Sequence, residues 1–170
     1  MVIGIGGCSQ SGKSTLSLKL KKKFEKLGVK TIILDIDDFV KSTRDIPWIR
    51  FHVDWEIPDS IDFVKYERAI IQAKSDSEIV ICDGFLVYHD PKIHQYFDKR
   101  LFVDVSKSVF LKRKKKNLRW GREPDWYIEY IWTCYLKYGR VDHVNEVLFL
   151  DGTKTIDIQE ILGNAFKKDA

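Results

Sequence analysis

A chain of 170 residues, 44% hydrophobic and 32% charged, has the size and composition of one globular domain and is too apolar for a disordered one. No apolar stretch reaches the length needed to cross a bilayer, so a membrane-spanning role is excluded at this level. The net charge of +4 is modest but unevenly distributed. Three well-separated cysteines, Cys8, Cys82 and Cys134, lack metal-ligand spacing, and the first residues already read as a strand. Both features predict reduced thiols in a cytoplasmic chain without a signal peptide.

In chain order, Val2–Ile5 is an apolar run that predicts a first strand. It leads into Gly7, Cys8, Ser9, Gln10, Ser11, Gly12, Lys13 and Ser14, a complete GxxxxGK[ST] phosphate-binding loop, followed by Thr15 and a helical pattern over 13–27 that Gly28 closes. Backbone N–H groups of such a loop, with the helix N-terminus behind them, bind a nucleotide polyphosphate. Lys13 would reach the β- and γ-phosphates and the Ser14 hydroxyl would hold Mg²⁺. Cys8 reads as a small filler, because no base stands near it in the sequence to make it a nucleophile.

Val29–Ile36 predicts a second strand, ending in Asp35-Ile36-Asp37-Asp38-Phe39. A loop with Pro47 and Pro58 follows, then a helix from Ser60 to about Lys74 with Ile61, Val64, Ile70 and Ile71 as its apolar face. Ile79–Cys82 predicts a third strand, ending in Asp83-Gly84-Phe85, and Leu101–Val105 a fourth. A helix runs from about Lys107 into the basic block 112–116, and Pro124 opens another through about Tyr138. Val147–Leu150 is a fifth strand and Ile156–Lys167 a closing helix. Apolar strands alternating with helices predict a single α/β domain over 1–170: a three-layer α/β/α fold around a five-stranded parallel sheet. Ligands bind such sheets beyond the carboxyl ends of the strands, where Lys13 and the acids converge.

Asp83 follows an apolar strand, as does the second acidic residue of phosphate-loop enzymes that assists Mg²⁺. The Asp37-Asp38 pair adds something a nucleotide switch does not need. Transfer of a phosphoryl group to an alcohol requires a carboxylate to take the hydroxyl proton. Strand alternation from Ile36 would put the two on opposite sides, leaving one as base and the other bonded to backbone or a cation. The next loop carries Trp48, Phe51, His52, Trp55 and Glu56, which suit a planar base on a sugar; the other reading is a loop that packs its aromatics on the core. The block Lys112-Arg113-Lys114-Lys115-Lys116, with Arg119 and Arg122, reads as cations for a transferring phosphoryl group, as a solvated helix face or as a nucleic-acid patch. Aromatic platforms are not interleaved with it, which disfavours nucleic acid.

Gly-Cys-Ser-Gln-Ser-Gly-Lys-Ser-Thr, Asp37-Asp38-Phe39, Asp83-Gly84-Phe85-Leu86, Trp132-Thr-Cys-Tyr-Leu-Lys-Tyr138 and Leu150-Asp-Gly-Thr-Lys154 together resemble the nicotinamide riboside kinases, within the uridine kinase-like phosphate-loop kinases. The resemblance runs in order over nearly the whole chain. It implies ATP- and Mg²⁺-dependent phosphorylation of a ribonucleoside 5′-hydroxyl, giving nicotinamide mononucleotide if the family's usual substrate applies. It implies Asp37 as proton acceptor beside the metal and Lys13 on the phosphates, with Ser14, Asp37 and Asp83 around Mg²⁺. Asp83 stands where the family usually has Glu. Asp38, Phe39, Trp55, Glu56, Lys114 and Trp126 would surround the acceptor, with Glu56 in place of an Asp and Lys114 in place of an Arg. A lid at about 113–126 would close over the phosphates with Arg113 and Arg119, and Thr153, Lys154 and Thr155 would lie against the adenine. The chain is shorter than typical members between Lys74 and Glu78.

A uridine/cytidine kinase is the alternative within this class, since those enzymes also carry an aspartate after the second strand. A nucleic-acid-binding ATPase would use the basic block and need no base at Asp37. An Asn-Lys-x-Asp guanine-reading motif is missing from the sequence, which argues against a GTPase. A kinase with a non-nucleoside alcohol acceptor is a further alternative.

Overall fold

The computed structural model describes residues 1–165 apart from Trp120 and His143. Strands β1 (Val2–Gly6), β2 (Thr31–Asp35), β5 (Ile79–Asp83), β6 (Lys99–Asp104) and β7 (Val147–Asp151) form one sheet in the order β2-β5-β1-β6-β7, every neighbouring pair parallel. The helices are α1 (Lys13–Lys26), α2 (Phe63–Asp76), the short α3 (Pro91–His94), α4 (Lys107–Lys116), α5 (Asp125–Tyr138) and α6 (Ile158–Ala165). The predicted three-layer α/β/α fold with a five-stranded parallel sheet is the one observed. The part of the closing helix expected beyond 165 lies outside the described residues.

The period-2 alternation of the strands divides the core in two. Ile3, Ile5, Ile79, Ile81, Leu101 and Val103 face one side, where Leu16, Leu20 and Phe24 of α1 and Ile161 of α6 cover them. Val2, Val80, Cys82 and Phe102 face the other, against Tyr66 and Ile70 of α2, Phe110 of α4, and Ile128, Ile131 and Tyr135 of α5. Burying a large apolar side chain contributes about 1.5–3 kcal/mol. Strands sandwiched in this way are therefore the rigid part from which the site projects.

The structure corrects two local expectations. Helix α2 starts at Phe63, with the Asp62 carboxylate accepting from Lys65 N, and buries Tyr66, Ile70 and Ala73. Val64 is 59% and Ile71 50% exposed, so neither belongs to the apolar face assigned to it. Positions 66, 70 and 73 share a helical stripe and 64 and 71 lie on the opposite side, and the Tyr66 ring takes the space over Phe39 at 4.9 Å between centroids.

The second correction concerns the acidic run. β2 ends at Asp35, and 36–39 form a 3₁₀ turn in which the Asp35 carboxylate accepts from Asp37 N at 3.0 Å. Strand alternation therefore does not separate Asp37 from Asp38; both are exposed on the turn, between buried Ile36 and Phe39. The loop beyond holds a hairpin the sequence reading lacked, β3 (Trp48–Ile49) paired with β4 (His52–Val53).

Candidate active site

The carboxyl ends of β1, β2 and β5 meet along one edge. Ile5 is in register with Asp83 and Asp83 with Asp35, so the phosphate loop and the two acidic strand ends are neighbours. The loop turns at Gly7, where φ is 138° and a Cβ would stand 2.3 Å from the Val103 carbonyl oxygen; only glycine fits. Cys8 is buried, and burial pushes its thiol up to about 11 despite Lys13, which fits a filler and not a nucleophile. Lys13 opens α1 and donates from Nζ to the Cys8 carbonyl at 2.9 Å. Ser9, Gln10, Ser14 and Thr15 lie along the solvent side of the loop and first turn, Ser14 and Thr15 exposed.

Arg113 fastens this loop to the far side of the sheet. Its guanidinium donates to the carbonyls of Gln10 at 3.0 Å, Ser11 at 3.4 Å and Gly152 at 2.8 Å. Gly152 itself comes so near that a Cβ there would meet the Ser11 oxygen at 2.5 Å. Arg113 thus binds carbonyls of the phosphate loop and of the turn after β7. On that turn Asp151 accepts from Thr153 N at 2.9 Å and pairs with Lys154 at 3.3 Å, which leaves Thr153–Thr155 exposed beside the loop.

The acids respond to one another. Asp83 is buried and accepts from Ser17 Oγ at 2.7 Å. Asp35 is pushed up to about 6, first by desolvation and then by Asp37, with Asp83 and Asp38 adding to it. The Asp37 carboxyl is raised by desolvation, lowered by Lys13, raised by Asp83 and Asp38, and lowered by Arg119. Asp37 keeps an exposed edge but is crowded by protein and sits in the field of both Lys13 and Arg119. Among the described residues no cluster of three or more His, Cys, Asp or Glu is arranged to hold a metal by itself. Mg²⁺ needs no such cage: it binds one or two carboxylates plus substrate phosphates and water. Oxygen donors at Ser14, Asp37 and Asp83, with like charges that a divalent cation would relieve, fit that chemistry.

The second half of the cleft is built by the hairpin loop and the start of α5. Asp54 is buried; it accepts the Tyr130 phenol at 2.5 Å and the Glu56 N–H at 3.3 Å, so α5 fixes the backbone that presents Trp55 and Glu56. Trp55 is 39% exposed. Trp126 meets His52 at 5.4 Å and Phe51 at 6.1 Å between centroids, with the Arg50 guanidinium 4.3 Å from its ring centre; His52 stacks on Tyr127 at 5.2 Å. Phe51 and His52 therefore meet the start of α5, while Trp48 and Phe51 stay largely exposed. Glu56 is pushed up to about 7 by desolvation, which Lys114 opposes and Asp37, Glu123 and Asp54 reinforce. Phe39 differs from expectation, since it is buried in the core against Tyr66 and is not an open wall.

Three cations of the basic block are engaged within the protein: Lys115 pairs with Asp125, Lys114 with Glu123, and Arg113 holds the phosphate loop, while Lys107 ahead of the block pairs with Glu129. This uses charge that a nucleic-acid patch would require. Asp54, Tyr130 and Glu123 were not singled out from the sequence; no local pattern marks a buried acid whose partner is remote. Two cavities, of about 400 Å³ beside His94, Arg100 and Asn145 and about 230 Å³ between β7 and α6, lie apart from Lys13 and Asp37.

No family model matches the chain. It is 21% identical over 182 residues to a nicotinamide riboside kinase of Eremothecium gossypii, covering 79% of this chain and 74% of that one. It is 27% identical over 144 residues to a uridine kinase of Leuconostoc citreum, covering 69% of each. Among solved structures, the shikimate kinase of Aquifex aeolicus superposes with a TM-score of 0.51 at 21% identity, covering 91% of this chain and 89% of that one. The chain has the phosphate-loop kinase fold and is similar, over most of its length, to the nicotinamide riboside kinases and the uridine kinases.

Proposed function

We propose that this protein transfers the γ-phosphoryl group of ATP to the 5′-hydroxyl of a ribonucleoside, with nicotinamide riboside as the preferred acceptor and nicotinamide mononucleotide as product. The observation that carries the reading is the placement of Asp37: a solvent-reachable carboxylate on the turn after β2, in the field of Lys13 and between the phosphate loop and the aromatic-acidic loop. A raised carboxyl pKa makes a better proton acceptor, and the position lies between donor and acceptor halves of the cleft. The similarity to nicotinamide riboside and uridine kinases supports the same reading.

In this mechanism the loop amides and Lys13 hold the β- and γ-phosphates, and Arg119 neutralises charge from the lid side. Arg113 keeps the loop in shape and Thr153–Thr155 border the adenine. Ser14 and Asp37, with Asp83 behind them, would hold Mg²⁺, whose charge would neutralise the phosphates. Asp37 orients the 5′-hydroxyl and takes its proton as the oxygen attacks. Glu56 and Lys114 bind the ribose hydroxyls, and Trp55 and Trp126 face the base, with Asp38 at the mouth. The three cysteines are free and buried, which suits the reducing cytoplasm.

The test is ADP release from purified protein with ATP and nicotinamide riboside, nicotinic acid riboside, uridine, cytidine or no acceptor. The account expects acceptor-dependent release, fastest with nicotinamide riboside. Release no faster than the acceptor-free rate with every nucleoside would refute it, and a preference for uridine would assign the alternative.

A further inference from the structure

We infer that Glu123 is a positioning residue for the acceptor: it holds the Lys114 ammonium beside Glu56, so that lysine and glutamate address the ribose hydroxyls as a fixed donor–acceptor pair. The inference rests on the acceptor site proposed above. Its basis is how differently the cations of α4 are held. Lys107–Glu129 and Lys115–Asp125 are surface pairs, with side chains about half exposed or more. Pairs of that kind fix little. Lys114 is instead only 8% exposed, and its Nζ lies 3.0 Å from one carboxylate oxygen of Glu123 and 2.8 Å from the other. The Glu123 side chain is itself 17% exposed.

Lys114 projects from α4, Glu123 from the loop between α4 and α5, and Glu56 from the loop after β4. The same ammonium that binds Glu123 also acts on the Glu56 carboxyl, which Glu123, Asp37 and Asp54 oppose from the other elements around it and which in turn bears on Tyr127 of α5. An ammonium has three hydrogens. A two-oxygen contact with Glu123 takes two of them, fixes its direction and leaves one for a hydroxyl seated beside Glu56. A lysine is a flexible point charge and cannot present the planar fork of an arginine. Glu123 supplies from outside the orientation that the lysine lacks.

The test compares steady-state kinetics of wild type, Glu123→Gln, Glu123→Asp, Lys114→Met and the double variant Glu123→Gln/Lys114→Met, with melting curves to verify folding. Glu123→Gln is expected to raise the acceptor KM about 10-fold, the scale of one charge-assisted hydrogen bond, while kcat and the ATP KM change little. Glu123→Asp keeps the charge and restores part of the acceptor affinity. In the Lys114→Met background the Glu123→Gln change adds nothing, because the residue through which it acts is gone. An active wild type whose Glu123→Gln and Glu123→Asp variants leave the acceptor KM unchanged, raise the ATP KM equally, or act additively with Lys114→Met overturns the inference and leaves the kinase reading standing. A wild type inactive on every nucleoside overturns both.

Discussion

Ser17 donates its hydroxyl to the Asp83 carboxylate at 2.7 Å, joining the second turn of α1 to the end of β5 beneath the phosphate loop. Both residues are buried, so the bond sets the depth at which the loop helix meets the acidic strand end. Ser17→Ala leaves a buried carboxylate short of a partner and is expected to cost about 1–3 kcal/mol in urea denaturation. It should also raise the Mg²⁺ concentration for half-maximal activity, since Asp83 loses its orientation. Unchanged stability and Mg²⁺ dependence would mean that the bond is incidental.

Asp37→Asn keeps the shape of the turn and removes the base. kcat is expected to fall about 100- to 10,000-fold, the usual worth of a positioned proton acceptor, while the affinity for ATP measured by isothermal calorimetry without Mg²⁺ holds. A variant with near-normal kcat would remove Asp37 from the mechanism.

Arg113→Met deletes the bonds to Gln10, Ser11 and Gly152. The ATP KM should rise about 10-fold, with little change in that of the acceptor, because the clamp shapes only the donor half. Arg113→Lys should recover only part of the loss, since one ammonium cannot span carbonyls from two loops as a guanidinium does. A larger effect on the acceptor KM would relocate the residue's role.

Glu56 is pushed up to about 7, chiefly by desolvation against the opposing pull of Lys114. For a carboxyl raised in the folded state, the stabilising contribution is present below the unfolded pKa, about 4.3, and is lost as pH climbs through the folded value. Glu56→Gln is therefore expected to melt higher than wild type at pH 8 and at the same temperature at pH 4. The acceptor KM of wild type should fall as pH rises through about 7, because the ionised carboxylate accepts the ribose hydroxyls. A Glu56→Gln melting difference that is the same at both pH values would contradict this assignment.

The phosphate-loop sequence and the acidic strand ends were legible because their signals are local. The glycine-rich loop is a contiguous motif, and Asp83 ends an apolar run whose burial fixes its direction. The surroundings of Glu56 depend on contacts far apart in sequence. Asp54 and Tyr130 meet across 76 positions, and Glu123 gains its meaning only when α4 carries Lys114 to it. The 3₁₀ turn at 36–39 is too short to leave a periodic trace that distinguishes it from the end of β2. The β3–β4 hairpin turns at Arg50, with φ of 54° and none of the glycine or asparagine that marks such turns.

The most direct test of the central claim is product identification by ³¹P NMR after incubating the protein with ATP, Mg²⁺ and nicotinamide riboside, with the 5′-deoxy analogue alongside. The account predicts a new phosphomonoester resonance on the 5′-oxygen that grows as ATP is converted to ADP, and no such resonance with the 5′-deoxy analogue. ATP hydrolysed to ADP and free phosphate at the same rate with either compound, and no phosphorylated nucleoside, would contradict it.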